Sequence, residues 1–593
     1  MMTGENDYAS RTDSLETKLG LLRAAVVAGH YEQAMALTDQ IKNGLAYERQ
    51  VKSGGGVPVL DATGVQDTGT LPRPWAEWAR GWANCQTLVL NELTGLDRHI
   101  EPIDLPVSLP AARVVSLARE ARLAQVDDAT GTLCEVPCQI YQERRRGQEV
   151  VARLVFLATV PAHGRATLLL FTGNPDAEIP SYPTDLRVSG EGFGLDVENT
   201  YYAAALSRQM GQLERLKYKN GSAMELFAGG NGHGEPGNID WAHDYLASNH
   251  FQKFRVTNWA TCPNYEVVSG PLCVSVRRWG FPHSPVHPLF TPARMHIDVT
   301  YTFYAGTPYF LKQGRMEMMR DYSLNYLRDD EWVFSGYPFT DALWMGPDGR
   351  LIEGEPPQTQ HDDLWGVGFF NRFTRDVFMA LHLEHEAEGF PGALHHAGAP
   401  YVNYDCYAQL WSRWAARDDP FFPAGSVLKQ RNAYLVSSYP KEGGAAEVER
   451  LWKLLRAPLQ ASQGELPSIQ AQAGIGRLAR PGECGDSSIS KAAIWAALRE
   501  CRDDMLYTAN ANVVDLGYIR DVSVWGSTVR VLMTMPHQGR PRYLYLGDPI
   551  RRRLSRIPGV DQVLVDLTWN PAWSANDLTD QGWADLGLEP ANR

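Results

Sequence analysis

Eleven of the 15 histidines in this chain fall between residues 233 and 396. Imidazole titrates near neutral pH and ligates metals, so this stretch is where acid–base or metal chemistry is expected. The densest run is HLEHEAEGFPGALHH at 382–396, preceded by HDD at 361–363. On a strand over 377–386, alternation puts His382, Glu384 and Glu386 on one face and His385 on the other. An imidazole and a carboxylate two residues apart are separated by about 6–7 Å of backbone and can converge on one cation. We therefore expect His382, Glu384, His395 and His361 to form a His/carboxylate set suited to a divalent metal, whether zinc, iron or manganese. The order H-L-E-H-E differs from the helical H-E-x-x-H zinc motif, and a solvated polar strand face is the plain alternative.

A second constellation needs no metal. Tyr265, Arg278, His283, His296, Tyr301 and Tyr404 are the residue types that eliminate across a uronate. Tyrosine or histidine takes the proton α to the carboxylate, arginine neutralises that carboxylate, and tyrosine protonates the leaving oxygen. Hydrolysis by paired carboxylates is the rival, with Asp362, Asp363, Glu384 and Asp405 as sources. Trp411 and Trp414 either stack on a sugar face or fill a core, and core is the simpler reading. Cysteine offers less. The eight thiols are sparse, and CEVPC at 134–138 is neither a C-x-x-C redox pair nor half of a zinc site.

The elements that must carry these residues are mostly strands. Runs such as RLVFLATV (153–160), ATLLLFTG (166–173), MHIDVTYTFYAG (295–306) and VFMALHLEHE (377–386) are rich in branched and aromatic residues and bounded by Gly, Pro or Asn. No helices alternate with them, which predicts a large antiparallel β-sandwich rather than a doubly wound sheet. The spacing divides the chain into a helical hairpin over 1–52, a linker over 53–74, the sandwich over 75–459 closed by a helix at 445–459, a second linker over 460–487, and a small α+β unit over 488–593. The fold class expected is mainly β, with a helical hairpin before the sandwich and an α+β domain after it.

Composition narrows the partners. In 593 residues, 56 Lys and Arg face 69 Asp and Glu, a net charge of −13 that opposes phosphate-backbone binding. No apolar run reaches the roughly 18–20 residues that span a bilayer, and the polar N-terminus lacks a secretory core, so a cytoplasmic protein is expected.

Two stretches resemble known families. The segment 88–110, with VPCQI (136–140), 151–171 and 195–221, resembles the β-sandwich shared by retaining α-mannosidases, polysaccharide lyases and galactose mutarotases. Asn91, Arg98, Val136, Pro137, Gln139, Val160, Pro161, Ala162, Gly164, Asn199, Tyr202, Gly211, Leu213 and Leu216 carry that likeness. They are mostly turn and core positions, so the resemblance implies a fold more than an activity. The mannosidase family's zinc-bearing barrel has no counterpart in the roughly 75 residues before the sandwich.

Residues 488–593 resemble the small iron–sulfur assembly domains that include phenylacetate-degradation protein D, on Asn512, Val514, Asp515, Leu516, Gly517, Met533, Thr534, Trp569, Pro571 and Trp573. Where that family has a reactive cysteine, this chain reads Met-Thr-Met-Pro-His-Gln-Gly over 533–539. Thiolate is the ligand an iron–sulfur cluster most wants, so the resemblance implies a binding or oligomerisation module that has lost cluster carriage. The expectation is a carbohydrate-directed lyase or hydrolase acting on a sugar, uronate or glycoside. The alternative is a non-catalytic maturation or scaffold protein holding a metalloenzyme, or a second copy of itself, through its last domain.

Overall fold

The computed structural model describes residues 19–31, 34, 37, 38 and 41, then 58–588 except 128–130, 209, 220–221, 228–243, 248–252, 256–262, 282–294, 335–337, 355–359, 363, 391–400, 406–409, 417–420, 467–489, 504–505, 507–510, 526–527, 537–540, 561 and 569–572. The chain is mainly β, built from antiparallel sheets, with a small α+β domain at its end. Residues 19–27 form a helix that turns at Gly29, where φ is +73°. Among the described residues, no helix is long and apolar enough to cross a membrane.

Two sheets come first. A six-stranded sheet centred on Asn84–Asn91 and Arg165–Thr172 packs on a three-stranded sheet of Arg98–Pro110, Glu149–Val160 and Cys138–Arg146. Leu88, Leu90, Leu105, Leu154, Phe156 and Leu168 fill the space between them, alternating inward as a half-buried strand requires. The strand Gln460–Gln463, expected to open a linker, instead pairs with Asn84–Asn91 and completes this sheet. Gln66–Asp67, also within an expected linker, pairs with the same edge of that strand at its opposite end, beside Asn84 and Cys85. Gln463 accepts a hydrogen bond at Oε1 from the Asp61 backbone, which ties both margins together. Short polar strands on a sheet edge carry no apolar alternation, so composition read them as loop.

The larger assembly centres on a nine-stranded sheet, in which Asn264–Ser269, Cys273–Gly280, Met295–Tyr304, Tyr309–Met318, Val427–Ser438 and Asp376–Glu388 are neighbours in that order. Its inner face meets a five-stranded sheet over 187–227 and a seven-stranded sheet that includes Tyr322–Val333, Leu410–Ala416 and Tyr401–Asp405. Phe310, Trp332, Phe334, Phe378, Trp411 and Tyr434 form one continuous aromatic core between them. Trp411 is fully buried there, as its core reading required. The outer face is covered in part by helix Gly444–Arg456, whose Val448 and Trp452 pack on Met379, Leu381 and Leu435.

The last domain is a three-stranded sheet. Ile519–Trp525 and Thr528–Met533 are antiparallel, and Gln562–Leu567 runs parallel to the second. Helices Lys491–Arg499 and Pro541–Leu554 cover one side. Ile494, Leu498, Val529, Val531, Leu546 and Ile550 form a core separate from those of the larger sheets.

Candidate functional site

The strand Asp376–Glu388 does not alternate as its sequence suggests. His382 pairs with Asn432, but Glu384 pairs with Arg431, so Leu383 is the extra residue of a bulge. One inserted residue inverts the faces that follow it. His382 and His385 therefore both point inward and are buried, whereas Glu384 points outward and pairs with Arg431 at 2.6 Å. The expected juxtaposition of His382 with Glu384 is thus corrected: they lie on opposite sides of the sheet. His361 sits on strand Gln360–Asp362 of the seven-stranded sheet, opposite Val402, and His395 lies outside the described residues. Among the described residues, no group of three His, Cys, Asp or Glu side chains could hold a metal ion.

What His382 and His385 join is a buried polar network between the two sheets. Lys312 Nζ donates to Asp330 Oδ1 at 2.8 Å, and Tyr434 and Trp332 donate to the same oxygen at 2.7 and 3.1 Å. Arg413 grips Asp329 with two parallel bonds of 2.8 and 3.0 Å and donates to Asn432 Oδ1 at 2.8 Å and to Gln430. His385 Nε2 stands 3.4 Å from Asp329 Oδ2. Every one of these side chains is nearly or wholly shielded from solvent.

Burial pushes both carboxyls up, but Lys312 and Arg413 outweigh it at Asp330, and Arg413 and His385 outweigh it at Asp329, so both acids sit below the usual carboxylate range. Burial, reinforced by Arg413, drives His382 down to about 3. Its Nδ1 donates to Leu364 O at 3.0 Å, which fixes the neutral tautomer. At neutral pH the network thus holds two matched ion pairs and a neutral His382, with neither Asp329, Asp330 nor His382 titrating near pH 7. Lys312, Asp329, Asp330, Gln430 and Asn432 were not singled out from the sequence. Their signal was polarity at inward positions of otherwise apolar strands, as in YFLKQ and RDDEW.

The second constellation is partly assembled. Tyr265, half exposed, pairs across the strands with Arg278, and the Arg278 guanidinium lies 5.5 Å from the centre of the Tyr301 ring. Arg278 is buried and donates to Met210 O, and the Tyr265 ring meets Phe193 edge-on at 5.3 Å. His296 belongs to the opposite face, since it is odd in register to Tyr301 on the same strand. Burial lowers its imidazole to about 4, and among the described residues neither ring nitrogen finds a hydrogen-bond partner. Tyr404 is on strand Tyr401–Asp405, opposite Trp411 in the facing sheet, and His283 lies outside the described residues.

In the last domain the motif residues build structure. Asn512 Oδ1 accepts from the Val514 and Asp515 backbones at 3.0 Å each, an Asx-type turn. Gly517 follows at φ +66°, and a Cβ there would lie 2.1 Å from the Asp577 carbonyl oxygen, so only glycine fits. Trp573 Nε1 donates to Leu516 O at 2.9 Å. Cys501 is buried against its own helix, with burial pushing its thiol up to about 11. His537, Gln538 and Gly539 lie outside the described residues. Arg530, paired with Asp566 at 2.6 Å, reaches the larger assembly and stacks over the Tyr201 ring at 5.2 Å.

Residues 491–565 match the family described as "Iron-sulfur cluster assembly protein". An Fe-S protein maturation auxiliary factor of Porphyromonas gingivalis is 31% identical over 78 residues, which cover 13% of this chain and 74% of that protein. The chain belongs to the iron–sulfur cluster assembly family. Its assembly domain is also similar to an Fe-S protein maturation auxiliary factor of Bacillus subtilis, 26% identical over 97 residues, or 16% of this chain and 92% of the relative. The chain is also similar to a glycosyl hydrolase family 38 protein from Enterococcus faecalis, with a TM-score of 0.41 and 10% identity over 74% of this chain. It spans about half of that protein's length, 51%.

Proposed function

We propose that the chain acts in iron–sulfur protein maturation as a holding factor, engaging a client through its assembly domain without carrying a cluster. One observation carries this reading: the family's Asn512–Gly517 turn is built in full, while Cys501, the one cysteine among the domain's described residues, is buried with its thiol raised to about 11. A thiol so protonated and enclosed is a poor iron ligand. The names of the two relatives, maturation auxiliary factors, support the same role. The test is twofold. Cells lacking the gene should lose iron–sulfur enzyme activity at unchanged enzyme levels, and both the native chain and Cys501→Ser should restore it. Purified chain incubated anaerobically with iron and sulfide should gain no cluster absorbance. A stoichiometric cluster that disappears in Cys501→Ser, or iron–sulfur activities untouched by gene loss, would overturn the reading.

The second reading is a carbohydrate-directed lyase or hydrolase within the sandwich. It is favoured by Tyr265, Arg278 and Tyr301 sharing one face. Uronate-containing polysaccharides would then yield the ultraviolet band of an unsaturated product, and Tyr265→Phe would abolish it. Absence of that band across uronates removes elimination from consideration.

A further inference from the structure

We propose that the chain carries a binding site for a neutral polyhydroxylated molecule, of one to two sugar rings, in the cavity between the three-stranded sheet and the outer face of the nine-stranded sheet. This goes beyond the maturation reading, and it lies on the other side of the sheet from Tyr265, Arg278 and Tyr301. The cavity measures about 460 Å³, within the size range of small-molecule pockets.

One wall is a lattice of side chains with hydrogen-bonding capacity to spare. Ser275 stands opposite Thr302, and Thr300 stands opposite Gln313, on three adjacent strands about 4.8 Å apart. None of these four side chains makes a hydrogen bond among the described residues, and none is fully buried. Hydroxyls and an amide both donate and accept, which suits a ligand whose own groups do the same. The opposite wall presents the Tyr141 hydroxyl, donating to Asp104 Oδ2 at 2.6 Å and accepting from Arg153 Nε at 2.9 Å. The Tyr304 and Tyr309 rings and Leu455 supply apolar surface for the C–H face of such a molecule.

Charge decides against an ionic ligand. Each of the three arginines that line the cavity is already matched: Arg153 to Asp104 at 2.7 Å, Arg277 to Asp298 at 2.6 Å, and Arg431 to Glu384 at 2.6 Å. An added carboxylate or phosphate would lose its hydration and have to compete for a partner already taken, whereas a hydroxyl can share one. The arginine and carboxylate side chains of these pairs keep some solvent contact, from 6% to 52%, so the cleft is reachable from outside.

The experiment is calorimetric titration of the full chain with galactose, maltose, myo-inositol and glucuronate, with thermal unfolding run in parallel. At least one neutral probe should bind one per chain and raise the unfolding midpoint, with glucuronate weaker by about tenfold or more. Thr300→Val/Thr302→Val keeps the shape of both side chains and removes both hydroxyls, and it should weaken the neutral probe by at least about tenfold. Ser275→Ala, a smaller change that guards against misfolding of the double variant, should weaken it by about threefold or more. The proposal is overturned if no neutral probe gives heat or a thermal shift, if glucuronate binds as tightly as the neutral probes, or if binding survives in folded Ser275→Ala and Thr300→Val/Thr302→Val.

Discussion

Lys312 and Asp330 are both wholly buried, and each is tolerable only because the other is there. Removing one partner strands a charge in a dry interior. Lys312→Met should therefore lower unfolding stability by about 3–5 kcal/mol in denaturant melts, and Lys312→Met/Asp330→Leu should recover much of that loss. The histidines add a pH dependence. His382 and His296 fall to about 3 and about 4 in the folded chain, below the roughly 6.5 of an unfolded imidazole, so the unfolded chain binds more protons below that pH. Their effect leaves stability intact above about pH 6.5 and erodes it as pH falls toward 4 and then 3. Asp329 and Asp330 extend the loss to lower pH, since their lowered values make them stabilising only while ionised. His296→Phe, which replaces a buried titratable ring by an apolar one, should flatten the part of the curve between about 6.5 and 4. An unchanged slope in denaturant midpoints against pH would contradict the assignment.

At the scale of elements, strands and helices were largely legible. The runs at 153–160 and 377–386 lie inside Glu149–Val160 and Asp376–Glu388, the run at 166–173 overruns Arg165–Thr172 by one residue, and the helix expected at 445–459 is Gly444–Arg456. Branched and aromatic runs say strand wherever they fall, because burial on a pleated face is what selects them. The candidate site was less legible. Alternation assigns faces only while the register is unbroken, and the bulge at Leu383 exchanged the neighbours of His382 and Glu384 without any local sign in composition. Nor could spacing show that Arg278 and Tyr301, 23 positions apart in number, stack within one core while His296 turns away. Helix Gly444–Arg456 gives a test at this scale. Trp452 donates from Nε1 to His382 O at 3.1 Å and closes over Gly349, whose φ is +73°. Trp452→Ala should cost about 3–5 kcal/mol in urea unfolding, and a loss below about 1 kcal/mol would show that the helix merely rests on the sheet.

Over the whole molecule, the assembly domain is joined to the sandwich by contact as well as by chain. Arg530 spans the junction, bonded to Asp566 on its own sheet and stacked on Tyr201, which immediately precedes strand Tyr202–Leu206 of the larger assembly. A cation over an aromatic face contributes about 0.5–2 kcal/mol, which favours the docked orientation by about two- to thirty-fold without fixing either fold. Arg530→Ala should leave secondary structure unchanged and increase the radius of gyration in small-angle scattering. An identical scattering curve would mean that other contacts set the arrangement.

The pairing of Gln460–Gln463 with Asn84–Asn91 bears on how such a chain is made. Asp61 and Gln463, hydrogen-bonded to one another, are 402 residues apart. A ribosome reading from the N-terminus exposes the first sheet long before the strand that finishes it has been synthesised, so the part of that edge facing residues 460–463 waits unpaired until they emerge. The assembly domain emerges after that strand but has a local core of its own, and it can fold while its elder neighbour is still closing. A released chain truncated before residue 460 should therefore engage chaperones and aggregate through its first sheet, and one truncated after 466 should do so far less.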